Sequence, residues 1–136
     1  MTRYLNILMA SLVLQAFNKQ LSELFDDVER VFPGDLDIKT AKNSLLLLKK
    51  ANPKKIIEVW KTCVADPYLP HIEKNEIDFF INKDYDADIN LDSKSDVVVA
   101  IDRLREPIRR MGSRDKETVM QYILNLSKLS ILYYSN

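Results

Sequence analysis

Ile7, Ala10, Leu14, Phe17, Leu21, Leu24, Val28 and Val31 follow one another at alternating spacings of three and four. That seam constrains the chain more than any other feature, because only a helix returns such positions to one side, and a helix of this length needs neighbours along that side. The pattern predicts about eight turns at 3.6 residues each, closed by Pro33-Gly34, with Asp35 or Asp37 placed to cap the next helix. A helical hairpin is the expected result.

The face away from the seam changes character along the helix. Ser22, Glu23, Asp26, Glu29 and Arg30 make the later half polar, whereas Leu5, Leu8, Met9 and Leu12 give the earlier half a second apolar stripe roughly opposite the first. A helix apolar on two sides is expected to be covered on two sides, by its own domain or by another chain. Arg3 followed by Tyr4–Phe17 has the outline of a secretion signal, but Asn6, Ser11 and Gln15 interrupt the run and it is too short to span a bilayer. An amphipathic helix of an unsecreted protein is the expected reading.

Further helices follow. Leu36–Lys50 should turn Leu36, Ile38, Ala41, Leu45 and Leu48 inward, and Lys49-Lys50 suit its negative C-terminal end. Asn52-Pro53 reads as N-cap and first helical residue of a third helix, with Ile56, Val59, Trp60 and Cys63 buried and its end near Asp66-Pro67. From Tyr68 to Asn82 one or two brief helical turns anchored by Ile77, Phe79, Phe80 and Ile81 are expected, with a strand as the weaker alternative, then a polar surface loop from Lys83 to Lys94, with Ser93 or Ser95 as the next cap. Val97, Ile101, Leu104, Ile108 and Met111 form a fifth apolar face, with a kink or break at Pro107 and Gly112 as a left-handed cap. Ser113 should cap a last helix that turns Val119, Tyr122, Ile123, Leu126, Leu129 and Tyr133 inward. The fold class is therefore all-α, a single-domain bundle over residues 1–136 of about five to six helices, with a long N-terminal helix.

The residues also limit the chemistry. Cys63 is the only cysteine and His71 the only histidine, so neither an internal disulfide nor a multi-cysteine zinc site can form. Gly34 and Gly112 are the only glycines, too few for a phosphate-cradling loop. Cys63 lies on an apolar helical face with Ile56 and Trp60, where a thiol is an inert small hydrophobe, so pairing it with His71 as nucleophile and base has no support from spacing. Asp84-Tyr-Asp86-Ala-Asp88 matches the opening of an EF-hand loop. Its sixth position is Ile89 where a glycine is needed, and its twelfth is Ser95 where a bidentate glutamate is needed. A solvated acidic loop is the expectation. No catalytic, cofactor or metal site is assigned, and no enzyme is expected.

Two surfaces are left for partners. Arg103, Arg105, Arg109, Arg110 and Arg114 form the one local basic cluster, placed to meet phosphates or an acidic partner. Asp102 stands three residues before Arg105, and Glu106 three and four before Arg109 and Arg110, so the cluster is expected to be an ion-paired helix face. Twenty basic residues balance twenty acidic ones, which leaves no net field to steer the chain onto nucleic acid. The other surface combines Leu5, Leu8, Met9 and Leu12 with Tyr133 and Tyr134 of an unusually apolar C-terminal end, for which closure of the domain's own core is an equal alternative.

The run FPGDLDIKTAKNSLLLLKKANPKKIIEVWKTCVADPYLPHIEKNEIDFFINKDYDADI over residues 32–89, with IDRLREPIRRMG and QYILNLSKLS further on, resembles small uncharacterised α-helical proteins of nucleocytoplasmic large DNA viruses that infect algae and protists. The resemblance implies a late, non-enzymatic structural protein, a minor capsid or virion component. Its partners would be capsid proteins or further copies of itself, and its place the virion or the host cytoplasm. It carries no defined site residues. The second reading is a nucleic-acid-associated or regulatory binding module that uses the arginine cluster.

Overall fold

A computed structural model describes residues 2–74 and 96–135. The described residues are helical almost throughout and contain no strand, an all-α bundle. In chain order they form α1 (Thr2–Val31), α2 (Leu36–Ala51), α3 (Lys55–Trp60), a π-helical turn (Lys61–Ala65), α4 (Asp66–Glu73), α5 (Asp96–Arg109) and α6 (Ser113–Ser135). The expected anchors Ile77, Phe79, Phe80 and Ile81, the acidic loop with Asp84, Asp86, Asp88 and Asp92, and the caps Ser93 and Ser95 lie outside the described residues.

Two helical hairpins make the frame. Pro33 and Gly34 occupy the centre of a tight turn in which the Asp35 N–H donates to the Phe32 carbonyl at 3.2 Å, and Gly34 takes a φ of 86° that the second central position of a type II turn demands. Asp35 then caps α2, accepting from the Ile38 N–H at 3.1 Å. The α5–α6 connection meets this α1–α2 turn at the same end of the bundle. Arg30 pairs with Asp115 at 3.6 Å, Arg110 reaches Asp35 at 3.4 Å, and the Arg110 guanidinium lies over the Phe32 ring at 4.9 Å. From that end α1 runs alongside α6, and α2 alongside α5.

The core follows the expected faces with a few departures. Phe17, Leu21, Leu24 and Val28 of the α1 seam are buried, joined by Val13 and Phe25, and Leu14 and Val31 pack at its margin. Ile38, Ala41 and Leu45 of α2 are buried, as are Ile56, Val59, Trp60 and Cys63. On α5, Val97, Ile101, Leu104, Ile108 and Met111 are all buried. A polar pin crosses the centre. Trp60 meets Phe17 edge-on with ring centroids 6.1 Å apart, and its indole N–H donates to Ser127 Oγ at 3.1 Å. The Ser127 hydroxyl donates in turn to the Ile123 carbonyl at 2.8 Å, so a buried serine on α6 satisfies a buried indole on α3.

Several expectations are corrected. Leu36 is exposed at the first position of α2, because two residues before Ile38 it lies on the side of the helix away from the buried Ile38, Ala41 and Leu45. Asn52 does not start α3: its N–H closes α2 on the Leu48 carbonyl at 2.7 Å and its side chain accepts from the Lys54 N–H at 3.2 Å, so the helix begins two residues beyond Pro53. Nor does the third segment end at Asp66-Pro67. The π turn before Pro67, in which the Asp66 N–H bonds to the Lys61 carbonyl, widens the backbone where a proline ring would clash with the carbonyl four residues earlier, and the chain continues as α4. Gly112 is not a left-handed cap; Gly34 alone takes positive φ among the described glycines. The Gly112 carbonyl accepts from the Lys116 N–H at 3.0 Å, so α6 is entered through Gly112 rather than capped by Ser113. Pro107 neither breaks nor ends α5 at once. The helix runs through it to Arg109 and then tightens, with the Arg110 N–H on the Pro107 carbonyl and the Met111 N–H on the Ile108 carbonyl, both at 3.1 Å.

Candidate functional site

The first three turns of α1 stand apart from the rest of that helix. Tyr4, Leu5, Ile7, Leu8, Met9 and Leu12 are all exposed, from 44% for Leu8 to 67% for Tyr4. Ile7 belongs to the seam and was expected inward; at 64% exposure it is corrected. The reason is register. With Arg30 level with Asp115 in an antiparallel pair, Ser135 at the end of α6 comes level with about Ala10 of α1, since both helices rise equally per residue. The turns before Ala10 project past the end of their main neighbour.

The stripe residues fall into adjacent rows. Tyr4, Leu8 and Leu12 succeed one another at four-residue spacing, and Leu5 and Met9 form the next row, so the five side chains cover one continuous side of the helix. No charged residue occurs from Tyr4 to Asn18; Arg3 and Lys19 flank the segment. Tyr133 and Tyr134, the C-terminal half of the expected surface, are placed differently. Tyr133 is half-buried against the core, and its ring meets that of Tyr134 edge-on at 5.0 Å. Tyr134 is 46% exposed and faces the π turn, with Lys61 Nζ 5.8 Å from its ring centre. Burial, with Glu58 and Tyr133 nearby, raises the Tyr134 phenol above its usual range. Tyr133 therefore closes the bundle beside the π turn, Tyr134 stays about as exposed as Leu8, and the larger exposed apolar face among the described residues is that of α1.

The arginines are drawn into local pairs. Arg105 binds Asp102 at 2.6 Å and Arg109 binds Glu106, each at three-residue spacing on α5, while Arg110 joins the two hairpin turns through Asp35 and Phe32. Arg103 is half-buried and Arg114 exposed at the start of α6. Three of the five thus have carboxylates beside them.

A cavity between α1 and α2, lined by Asn18, Ser22, Phe25, Lys42 and Leu45 among others, has a volume of about 30 Å³. That admits a water molecule and falls well below the several hundred Å³ of a small-molecule site. Asn18 is buried beside it, and its side-chain oxygen finds no hydrogen-bond partner among the described residues. Lys42 at the rim pairs with Asp26 at 2.9 Å and Glu29 at 3.2 Å; the hydrogen bonds to Asp26 and then Glu29 raise its pKa against the opposing effect of burial. Among the described residues no three His, Cys, Asp or Glu side chains gather as a metal ion would require, and no helix is long and apolar enough to cross a membrane.

Sequence reasoning missed Tyr4 and Ile7 as members of the exposed face, and Leu46 and Leu47 as exposed residues of α2. The signal for the leucines was present, because four consecutive leucines cannot all point to one side of a helix. Comparison with protein-family models, with curated proteins and with solved structures finds no match for this chain. The viral resemblance therefore stands on the sequence pattern alone.

Proposed function

We propose that this protein is a non-enzymatic assembly component that binds other protein chains through the first three turns of α1, in the setting of a virion as a minor capsid or structural protein. The observation that carries this reading is the set of six large apolar side chains between Tyr4 and Leu12 left exposed on a helix whose later turns bury their large apolar residues. A contiguous apolar face of that extent exceeds what a monomer ordinarily exposes without use. The resemblance to viral helical proteins supplies the setting, and the reading calls for no catalytic group. The nucleic-acid reading draws no comparable support, since Arg105, Arg109 and Arg110 each lie beside a carboxylate.

The test compares the native chain with a variant carrying Leu5→Glu, Leu8→Glu and Leu12→Glu. All three positions are exposed, so the variant should keep its helix content and melting temperature. The native protein is expected in purified particles at a fixed ratio to the major coat protein, and the variant should be depleted at least about tenfold, the loss that accompanies removal of an interface anchor. Absence of the native chain from particles contradicts the virion setting. Equal incorporation of the variant contradicts the role of this face.

A further inference from the structure

We infer that the occupant of the exposed α1 face is a second copy of the same chain, laid antiparallel across a two-fold axis near Leu8 and Met9. The inference rests on the reading above that this face is a contact surface, and adds what it contacts.

Area is the first consideration. At their observed exposures Tyr4, Leu5, Leu8, Met9 and Leu12 present roughly 500–600 Å² per chain, so a symmetric pair that covered them fully would bury about 1,000–1,200 Å², where specific interfaces begin. Charge is the second. The face carries no ionised group between Arg3 and Lys19, so it can be set against its own copy with no like-charge contact inside the seam. A partner of strong charge would find nothing here to complement it. A lipid surface is equally poorly served, because an interfacial helix carries a fringe of Lys and Arg on its polar side, and this segment offers Asn6, Ser11 and Gln15 with Arg3 alone.

Spacing and shape choose the direction. Leu5, Leu8 and Leu12 succeed one another at three and four residues, the a/d repeat by which two helices interlock side chains. In an antiparallel pair Leu5 lies across from Leu12, and each Arg3 comes level with about Leu14 of the other helix, clear of the other Arg3. A parallel pair sets the two Arg3 side by side and brings both bundles to the same end. The projecting turns are about 15 Å long at 1.5 Å per residue, enough for two to lie alongside one another with their bundles at opposite ends.

Sedimentation equilibrium of the full chain over a roughly hundredfold concentration range should show the mass rise from monomer to dimer, with a dissociation constant in the micromolar range that an interface of this modest area supports. Leu8→Glu should weaken that constant at least about thirtyfold, the effect of losing a central anchor. Direction is read by cysteine pairing, with the buried Cys63 as a silent internal control. Leu8→Cys should cross-link to itself, whereas Leu5→Cys and Leu12→Cys should cross-link to each other in an equal mixture and not to themselves. Self-cross-linking of Leu5→Cys overturns the antiparallel arrangement. A native chain that stays monomeric throughout, or that binds phosphatidylcholine–phosphatidylserine vesicles as a monomer, overturns self-association. If it stays monomeric and the triple glutamate variant is still depleted from particles, the contact surface stands and its occupant is a different chain. If neither changes, the contact reading falls as well.

Discussion

The two parts of α1 are built from the same kinds of residue and meet opposite fates. From Val13 to Val31 the seam lies against α6 and the third segment, and Phe17 is wholly enclosed beside Trp60; from Tyr4 to Leu12 the side chains are no less apolar and stand in water. Periodicity decides which side of a helix is apolar. Ile7 lies on the side of the seam and is exposed because α6 ends near the level of Ala10, whereas Tyr4, Leu5, Leu8, Met9 and Leu12 lie on the other side of the helix, away from α6.

The widest separation between the two parts should come from truncating one residue in each. Phe17→Ala is expected to cost about 3–5 kcal/mol, because it removes a fully buried ring and leaves a cavity against Trp60. Leu8→Ala should stay within about 0.5 kcal/mol in the monomer. Urea denaturation at low protein concentration measures both. A comparable loss at Leu8 would mean that the chain itself covers this turn.

Next in size is the polar pin that holds the enclosed half. Ser127→Ala removes the acceptor of the Trp60 indole and leaves a buried donor without a partner, a loss of about 1–3 kcal/mol. Trp60 fluorescence should also shift as its hydrogen bond is lost. An unchanged midpoint would remove the pin from the description of the core.

Smaller effects belong to the rim of the enclosed half. Lys42→Met should cost about 0.5–1 kcal/mol, since its pairs with Asp26 and Glu29 lie at the surface, partly exposed and screened by solvent. The folded chain raises the Lys42 ammonium above its ordinary 10.5, and the Tyr122 phenol, through burial and then Asp27 and Glu23, above its ordinary 10.0. Groups raised on folding stabilise fully below their unfolded values and lose that contribution as pH climbs through the folded ones. Stability should therefore be insensitive to these two groups at neutral pH and decline above about pH 10, with Lys42→Met reducing the slope. A decline of the same steepness in Lys42→Met would exclude the lysine as a source.

These comparisons also mark what was legible from the residues. The apolar face of α5, the enclosed seam of α1 and the turn at Pro33-Gly34 were legible because each rests on local spacing or a local backbone demand. The π turn before Pro67 was not, since a proline signals only that an α-helix cannot pass unchanged, and termination was the simpler answer. Ser127 was not among the residues of the last helix expected inward, because its burial depends on Trp60, which the fold brings against it from far along the chain. For the candidate site, the stripe of Leu5, Leu8, Met9 and Leu12 was visible as a second apolar face. Its exposure was not, because periodicity does not say whether a further helix covers a second apolar side, nor was that of Ile7, which follows from the antiparallel register of α1 and α6. The ion pairs of Arg105 and Arg109 came from three-residue spacing, whereas the link from Arg110 to Asp35 needed the fold.

Three methionines sample the division of α1 from the core directly: Met9 on the projecting turns, and Met111 and Met120 in the interior. Brief peroxide oxidation of the dilute native protein, read by peptide mass spectrometry, should convert Met9 far faster than the other two, and raising the protein concentration should slow Met9 alone. Protection of Met9 equal to that of Met120 at every concentration would show that the chain covers its own N-terminal turns, and would contradict an exposed contact face.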